Sequence, residues 1–133
     1  MPQGISYTQF TYSGLFANDI SAGNAGSQIV VVAFSVTNSG SVAGVETPQL
    51  YLRFPPEAGE PPKQLKGFRK TMVLAPGATE RFESTSAFTL APRDFSIWDV
   101  ETHSWAVARG EFEVMVGASS CDIRQRATVT INW

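Results

Sequence analysis

Asp99 and Glu101 are two carboxylates whose spacing could do chemistry. Residues two apart on a strand share a face at roughly 6.5 Å, and acid and base work across a glycosidic bond needs carboxyl groups about 5 to 9.5 Å apart. The competing reading, and the one the flanking polar residues favour, is solvated charge on a hairpin. His103, the only histidine, lies in "ETHS" beside Thr102 and Ser104. Neither a Ser-His-Asp triad nor a zinc site can be assembled around it, so an exposed turn residue is expected. Cys121 follows "GASS" with no basic cluster beyond Arg124, too little to argue for an activated thiolate; a structural or incidental role is expected. Trp98, Trp105 and Trp133, with Tyr51, could form an aromatic platform for sugars or lignin-like rings. Their alternative, and the expected one, is packing in a core or against a neighbouring domain. The basic run Lys63, Lys66, Arg69 and Lys70 is interrupted by Leu65 and Phe68 and preceded by Glu57 and Glu60, which predicts a solvated strand face rather than an anion site. The glycines sit at turns, and no glycine-rich loop has phosphate-cradling spacing. No cofactor is implied.

The whole chain bounds these readings. It has 133 residues, 43% apolar and 17% charged, which suits one globular domain spanning 1–133. A net charge of −2 does not supply the field that attracts a phosphate backbone, so nucleic acid is not expected as a partner. The longest apolar runs, such as Ile29 to Phe34, fall far short of the ~20 residues of a bilayer span, so no membrane partner is expected either. The opening "MPQGISYTQF" lacks a basic start followed by an apolar segment. One cysteine makes no internal disulfide, and no Asn-x-Ser/Thr acceptor occurs.

The elements that must position these residues read as strands. Apolar residues alternate in short segments punctuated by turn formers, with no sustained helical period. Strands are predicted at Ile5 to Ser13 (an edge strand, with Phe10 and Tyr12 on one side), Ile29 to Asn38 (a core strand through Val30, Val32, Phe34 and Val36) and Val45 to Phe54. In the last, Leu50, Leu52 and Phe54 alternate with a wetter face of Gln49, Tyr51 and Arg53. Pro76-Gly77 fits positions i+1 and i+2 of a type II turn between strands near 68–74 and 80–90. A hairpin is predicted from Phe95–Val100 to Trp105–Val107. In "EFEVMVG", Phe112, Val114 and Val116 point one way and Glu111, Glu113 and Met115 the other; Ala127–Trp133 closes the chain. About seven strands at this spacing predict an all-β sandwich of the immunoglobulin or fibronectin type III kind, with a small barrel as the alternative.

Several motifs carry a resemblance in addition. "PEAGEPPKQLKGFRK", "LAPGATERF", "PRDFSIWDVETHSW" and "GEFEVMVGASSCDIR", in that order, resemble the fibronectin type III-like domain at the C-terminus of glycoside hydrolase family 3 enzymes, chiefly β-glucosidases. "GISYTQFTYS" resembles the junction before it, which places residues 1–13 there. Lys63, Gln64, Leu65, Gly67 and Phe68 fit the loop-to-strand signature, Pro76 and Gly77 its turn, and Arg93, Asp94, Ser96, Trp98 and Asp99 the segment after it. Phe95 stands where leucine is commoner, Cys121 where arginine is common, and 76–94 is about four residues longer than usual around "FESTSAF".

The resemblance implies a non-catalytic accessory domain, since the family's nucleophile and acid/base residues belong to preceding domains. Those catalytic domains, in the same polypeptide, are the implied partner, and the implied setting is extracellular. Polysaccharide or lignin binding through exposed aromatics is the alternative. An excised domain is expected from the opening inside the junction motif, with a free-standing product as the other reading. Residues 55–67 are expected to form an ordered crossover loop, with Leu65 and Phe68 anchored and Glu57 to Pro62 projecting outward.

Overall fold

The computed structural model describes residues 8–19, 29–56, 63–83 and 88–131. Among these the chain forms β1 (Phe10–Asp19), β2 (Val30–Asn38), β3 (Gln49–Arg53), β4 (Gln64–Phe68), β5 (Thr79–Phe82), β6 (Thr89–Leu90), a 3-10 turn at Pro92–Phe95, β7 (Ser96–Asp99), β8 (Ser104–Val107), β9 (Gly110–Ser119) and β10 (Asp122–Ile131). One antiparallel sheet runs β1-β2-β5, with β6 also pairing β2; the other runs β10-β9-β3-β4, and β7-β8 is a separate hairpin. This is the all-β sandwich expected. No helix among the described residues is long and apolar enough to cross a membrane.

Period-two alternation explains why the two sheets face each other. Val30, Val32, Phe34 and Val36 of β2 meet Leu50 and Leu52 of β3, and Phe112, Val114 and Val116 of β9, in one buried core. Edge-on aromatic contacts fill it: Phe34 lies 5.1 Å from Phe88, and Phe112 lies 4.9 Å from both Phe54 and Phe95 between centroids. On one side the sandwich is closed where β1 meets β10. The Leu15 N–H donates to Gln125 Oε1 at 3.1 Å, and Arg124 donates to the Phe10 carbonyl at 2.8 Å.

Several boundaries differ from the sequence reading. β1 begins at Phe10, and residues 5–7 lie outside the described set; it is an edge strand, as expected, with Phe10 and Tyr12 buried. It continues past Ser13 to Asp19 through a bulge between Ser13 and Phe16, where Gly14 adopts φ +66. The polar Asn18 and Asp19 still pair with Val31 and Val30, because an edge strand needs backbone partners rather than apolar side chains. The strand expected near 68–74 lies instead at Gln64–Phe68, paired with β3. Residues beyond it follow 44–48 through sparse bonds, Arg69 N–H to the Pro48 carbonyl and Thr71 N–H to the Glu46 carbonyl. Pro48 has no N–H to return, and the Glu46 N–H is taken by Thr71 Oγ1 at 3.0 Å, so no continuous ladder forms. The 80–90 strand is two short pieces, β5 and β6, on different stretches of β2. The last strand starts at Asp122, five residues earlier than expected.

The wetter face of β3 and β9 is also drier than its alternation suggests. Tyr51 is 8% exposed and Met115 1%. They pair with each other, and across the sheet Tyr51 faces Leu65 while Met115 faces Arg126. The row Leu65, Tyr51, Met115 and Arg126 therefore covers its own middle members, with an Arg126 nitrogen 3.5 Å from Met115 Sδ.

The end of β2 is organised by Asn38, fully buried. Its Nδ2 donates to the carbonyls of Val42 and Leu74, both at 2.8 Å. Its Oδ1 accepts from Thr8 Oγ1 at 2.8 Å and from the Gly40 N–H at 2.9 Å. Its backbone donates to the Ala78 carbonyl and accepts from the Gly77 N–H. The Pro76-Gly77 turn it holds is the type II turn expected: Gly77 has φ +84, and the Ala78 N–H reaches the Ala75 carbonyl at 2.9 Å. Asn38→Ala leaves buried donors and acceptors on three segments unmatched, so it should lower the unfolding free energy by about 2 to 4 kcal/mol. Urea denaturation of the isolated chain measures this, and a loss under about 1 kcal/mol would show that water replaces the amide.

Candidate functional site

The hairpin that carries most of the chemistry-bearing residues is built by the segment "PRDFSIWD". Pro92 opens the 3-10 turn, and Asp94 closes it by accepting the Ala91 N–H on Oδ2 at 2.8 Å. Ser96 Oγ donates to the Pro92 carbonyl at 2.7 Å. Phe95 then enters the core fully buried, while its carbonyl accepts the Ala108 N–H and so pins the far end of β8. The aromatic ring in place of the family's commoner leucine packs against Phe112. Arg93 stays at the surface. Asp94 and Ser96, matched to the family motif, are thus scaffold groups.

Asp99 and Glu101 do not form a catalytic pair. β7 ends at Asp99, so Glu101 lies in the turn and the shared-face spacing does not apply. Asp99 Oδ1 accepts the Glu101 N–H at 3.0 Å, which makes its carboxylate a turn-closing group. His103 completes the turn at φ 53, exposed as expected. Cys121 is an exposed free thiol in the β9-β10 turn, where its N–H donates to Ser119 Oγ.

Trp98 and Trp105 stand opposite each other on the hairpin and are 49% and 69% exposed. Of the two expected placements, a core or a contact with a neighbouring domain, the core is therefore excluded for both. Their rings lie 5.7 Å apart at 76°, so a planar ligand can lie flat on only one of them. Tyr51 does not join them: it is buried on β3, in the other sheet, and its hydroxyl donates to Gln49 Oε1. Trp133 lies outside the described residues.

The basic segment departs from expectation at its apolar members. Leu65 is 50% exposed and Phe68 61%, so neither is anchored in the core. In β4 they pair with Tyr51 and Gln49, members of the outward face of β3, and point the same way. Gly67 pairs with Leu50, and Lys63 Nζ donates to the Ser120 carbonyl. Residues 57–62, the expected projecting tip, lie outside the described set.

The sequence pointed to Arg124 only as a neighbour of Cys121, and its role lies elsewhere. Its guanidinium pairs with Asp122 through Nε at 2.6 Å and a terminal nitrogen at 3.0 Å, and lies 5.5 Å from the Tyr12 ring. The hydrogen bond from Arg124 holds the Asp122 carboxyl below its ordinary range. Burial, reinforced by Glu46, pushes the Tyr12 phenol far up, so it stays protonated and donates to Glu46 Oε2 at 3.1 Å. Arg124, Asp122 and Glu46 line a cleft of about 750 Å³ with Thr8, Ser39 and Ser119, but they are engaged by one another and by Tyr12. The signal available was the Asp-x-Arg spacing, which puts both side chains on one strand face. Among the described residues no buried side-chain nitrogen or oxygen lacks a partner, and no group of three His, Cys, Asp or Glu is placed to hold a metal.

A sandwich whose motif residues serve turns and core invites comparison with known domains. The model of the fibronectin type III-like domain matches residues 46–120, over half of the chain. The chain belongs to the fibronectin type III-like family. This Fn3-like domain is 46% identical over 142 residues to the probable beta-glucosidase L of Aspergillus fumigatus, a match that takes in 96% of the chain and 18% of that protein. Its fold superposes on beta-glucosidase 3B from Thermotoga neapolitana with a TM-score of 0.81 at 32% identity, over 96% of the chain and 16% of that structure. For beta-D-glucoside glucohydrolase from Trichoderma reesei the TM-score is 0.81 at 35% identity, over 96% and 19%. The Fn3-like domain therefore spans less than one fifth of the relatives it matches, within their C-terminal region.

Because the Phe68 ring is exposed and the Phe95 ring is not, the two should separate cleanly in urea denaturation of the isolated domain. Phe95→Ala should cost about 3 to 5 kcal/mol, and Phe68→Ala less than about 1 kcal/mol. A loss of about 3 kcal/mol or more at Phe68 would place its ring in a core.

Proposed function

We propose that this chain is a non-catalytic accessory domain of a glycoside hydrolase family 3, β-glucosidase-type enzyme, held against the catalytic domains of the same polypeptide and stabilising them. The observation that carries the reading is that nearly the whole chain matches one segment, under a fifth of the length, of much larger proteins named as beta-glucosidases. The site chemistry agrees: Asp99 closes a turn, and Asp122, although it lines the cleft, is engaged by the Arg124 guanidinium, so neither stands as half of a facing acid and base pair. The parent is taken to be extracellular on the resemblance alone.

A second reading draws on the exposure of Trp98 and Trp105: contact with an insoluble polysaccharide or lignin through one exposed indole face. It differs from the first in needing no catalytic body.

Rigorously purified chain should hydrolyse no aryl β-glucoside above the buffer rate, and deleting the corresponding segment from the parent should lower its thermal midpoint. Hydrolysis by the chain, or an unchanged midpoint, would sink the accessory-domain reading. Sedimentation with cellulose, xylan and lignin decides the second: retention that Trp98→Ala/Trp105→Ala abolishes supports it, and retention no greater than that of an inert protein rejects it.

A further inference from the structure

The sandwich end around Asn38 carries a patch that its own fold leaves uncovered. In the segment after β4, only Thr71 and Leu74 turn inward and are buried. Met72 and Val73 are 68% and 72% exposed, and Phe68 precedes them. Val45 and Val42, from the segment the chain passes alongside through the Gly44–Leu74 bridge, are exposed too. Exposed apolar side chains scattered singly need no explanation, but a group gathered on one surface does.

Thr8, the first described residue, also lies at this end. Thr8 is bonded to Asn38, whose amide holds the carbonyls of Val42 and Leu74, the neighbours of the patch. A Cβ on Gly44 would lie 3.0 Å from Thr8 Cγ2. Thr8 is therefore held beside Asn38 and Gly44, whose neighbours belong to the patch. In the relatives, more than four-fifths of the length lies outside the matched C-terminal segment, so a large body tethered through Thr8 would be held against this end. Trp98, Val100 and Trp105 are exposed too, but they belong to the β7-β8 hairpin, and among the described residues Asn38 makes no bond to it.

Charge specifies the partner further. Arg69 and Lys70 are exposed within the segment, and no carboxylate among the described residues pairs with either. The acids bonded nearby are engaged: Glu80 accepts the Met72 N–H at 2.8 Å, and Glu46 accepts from Tyr12 and from the Thr47 N–H.

Resting on the accessory-domain reading, we infer that the end formed by Phe68–Val73 and Val45 is the docking face for the preceding catalytic body of the same polypeptide, which meets it with an apolar surface rimmed by carboxylates. A charge placed at the centre of such a contact is buried without a partner, and reversal of the cationic rim sets like charges together.

The test uses the full-length parent. Met72→Glu/Val73→Glu should raise the rate of proteolytic cleavage at the junction before Thr8 by about tenfold or more and bring the thermal midpoint down to that of the domain-deleted parent. Arg69→Glu/Lys70→Glu should shift both in the same direction, and Trp98→Glu/Trp105→Glu should move neither. The isolated Met72→Glu/Val73→Glu domain should unfold at the wild-type urea midpoint, and Val73→Ser replaces it if it does not. Loosening by the tryptophan variant in place of the Met72/Val73 variant overturns the face assigned here, and so does a parent that deletion destabilises but neither variant loosens. A parent indifferent to the deletion removes the accessory-domain reading itself.

Discussion

A buried amide with donors and acceptor all engaged can sit in only one arrangement, and Asn38 sets that condition at the end of β2. Its partners come from Thr8, the loop at Gly40 and Val42, and the segment at Leu74, while its backbone grips the Pro76-Gly77 turn. Satisfying all of them at once fixes where Thr8 lies, how the 39–44 loop closes and how 69–74 returns towards β5. A group that is buried costs little when every bond is made and much when one is missing. The arrangement is therefore cooperative rather than a set of separate contacts.

The core supplies the energy that this constraint shapes. Inward residues of β2, β3 and β9 interlock through phenylalanines in edge-on contact, and Phe95 carries the β7-β8 hairpin into the same cluster. Each fully buried aliphatic or aromatic side chain contributes about 1.5 to 3 kcal/mol. The Asp94 and Ser96 bonds have their effect through that burial, since they orient the short turn that delivers Phe95. Among the described residues, Asp94, Ser96 and Asp99, which look chemical in the sequence, are spent on geometry, while the indoles of the hairpin and the apolar side chains of Met72 and Val73 stay exposed.

Much of this was legible in the residues. Alternation in Val30 to Val36, Leu50 to Phe54 and Phe112 to Val116 set which side chains face inward, because a strand's side chains alternate whatever it pairs with. Pro76-Gly77 named its own turn, because proline presets one φ and glycine alone readily accepts the positive one that follows. The hairpin around "ETHS" and the family's ordered motifs were equally local. For Leu65 and Phe68 local pattern failed: an edge strand with two apolar residues can present them to either side, and its pairing with β3 sends them outward.

What the sequence determined by itself, then, was the set of strands with a strong alternation, the turns with special backbone needs and the family to which they belong. Tertiary structure alone decided that Tyr51 and Met115 are covered on an outward face, by Leu65 and Arg126 from strands distant in the chain. It also decided that Glu101 falls beyond the end of β7 and that Asn38 is a hub rather than one more turn residue. Each of these depends on register between segments far apart, and register is set by which strands meet across the sandwich, not by any residue's own preference.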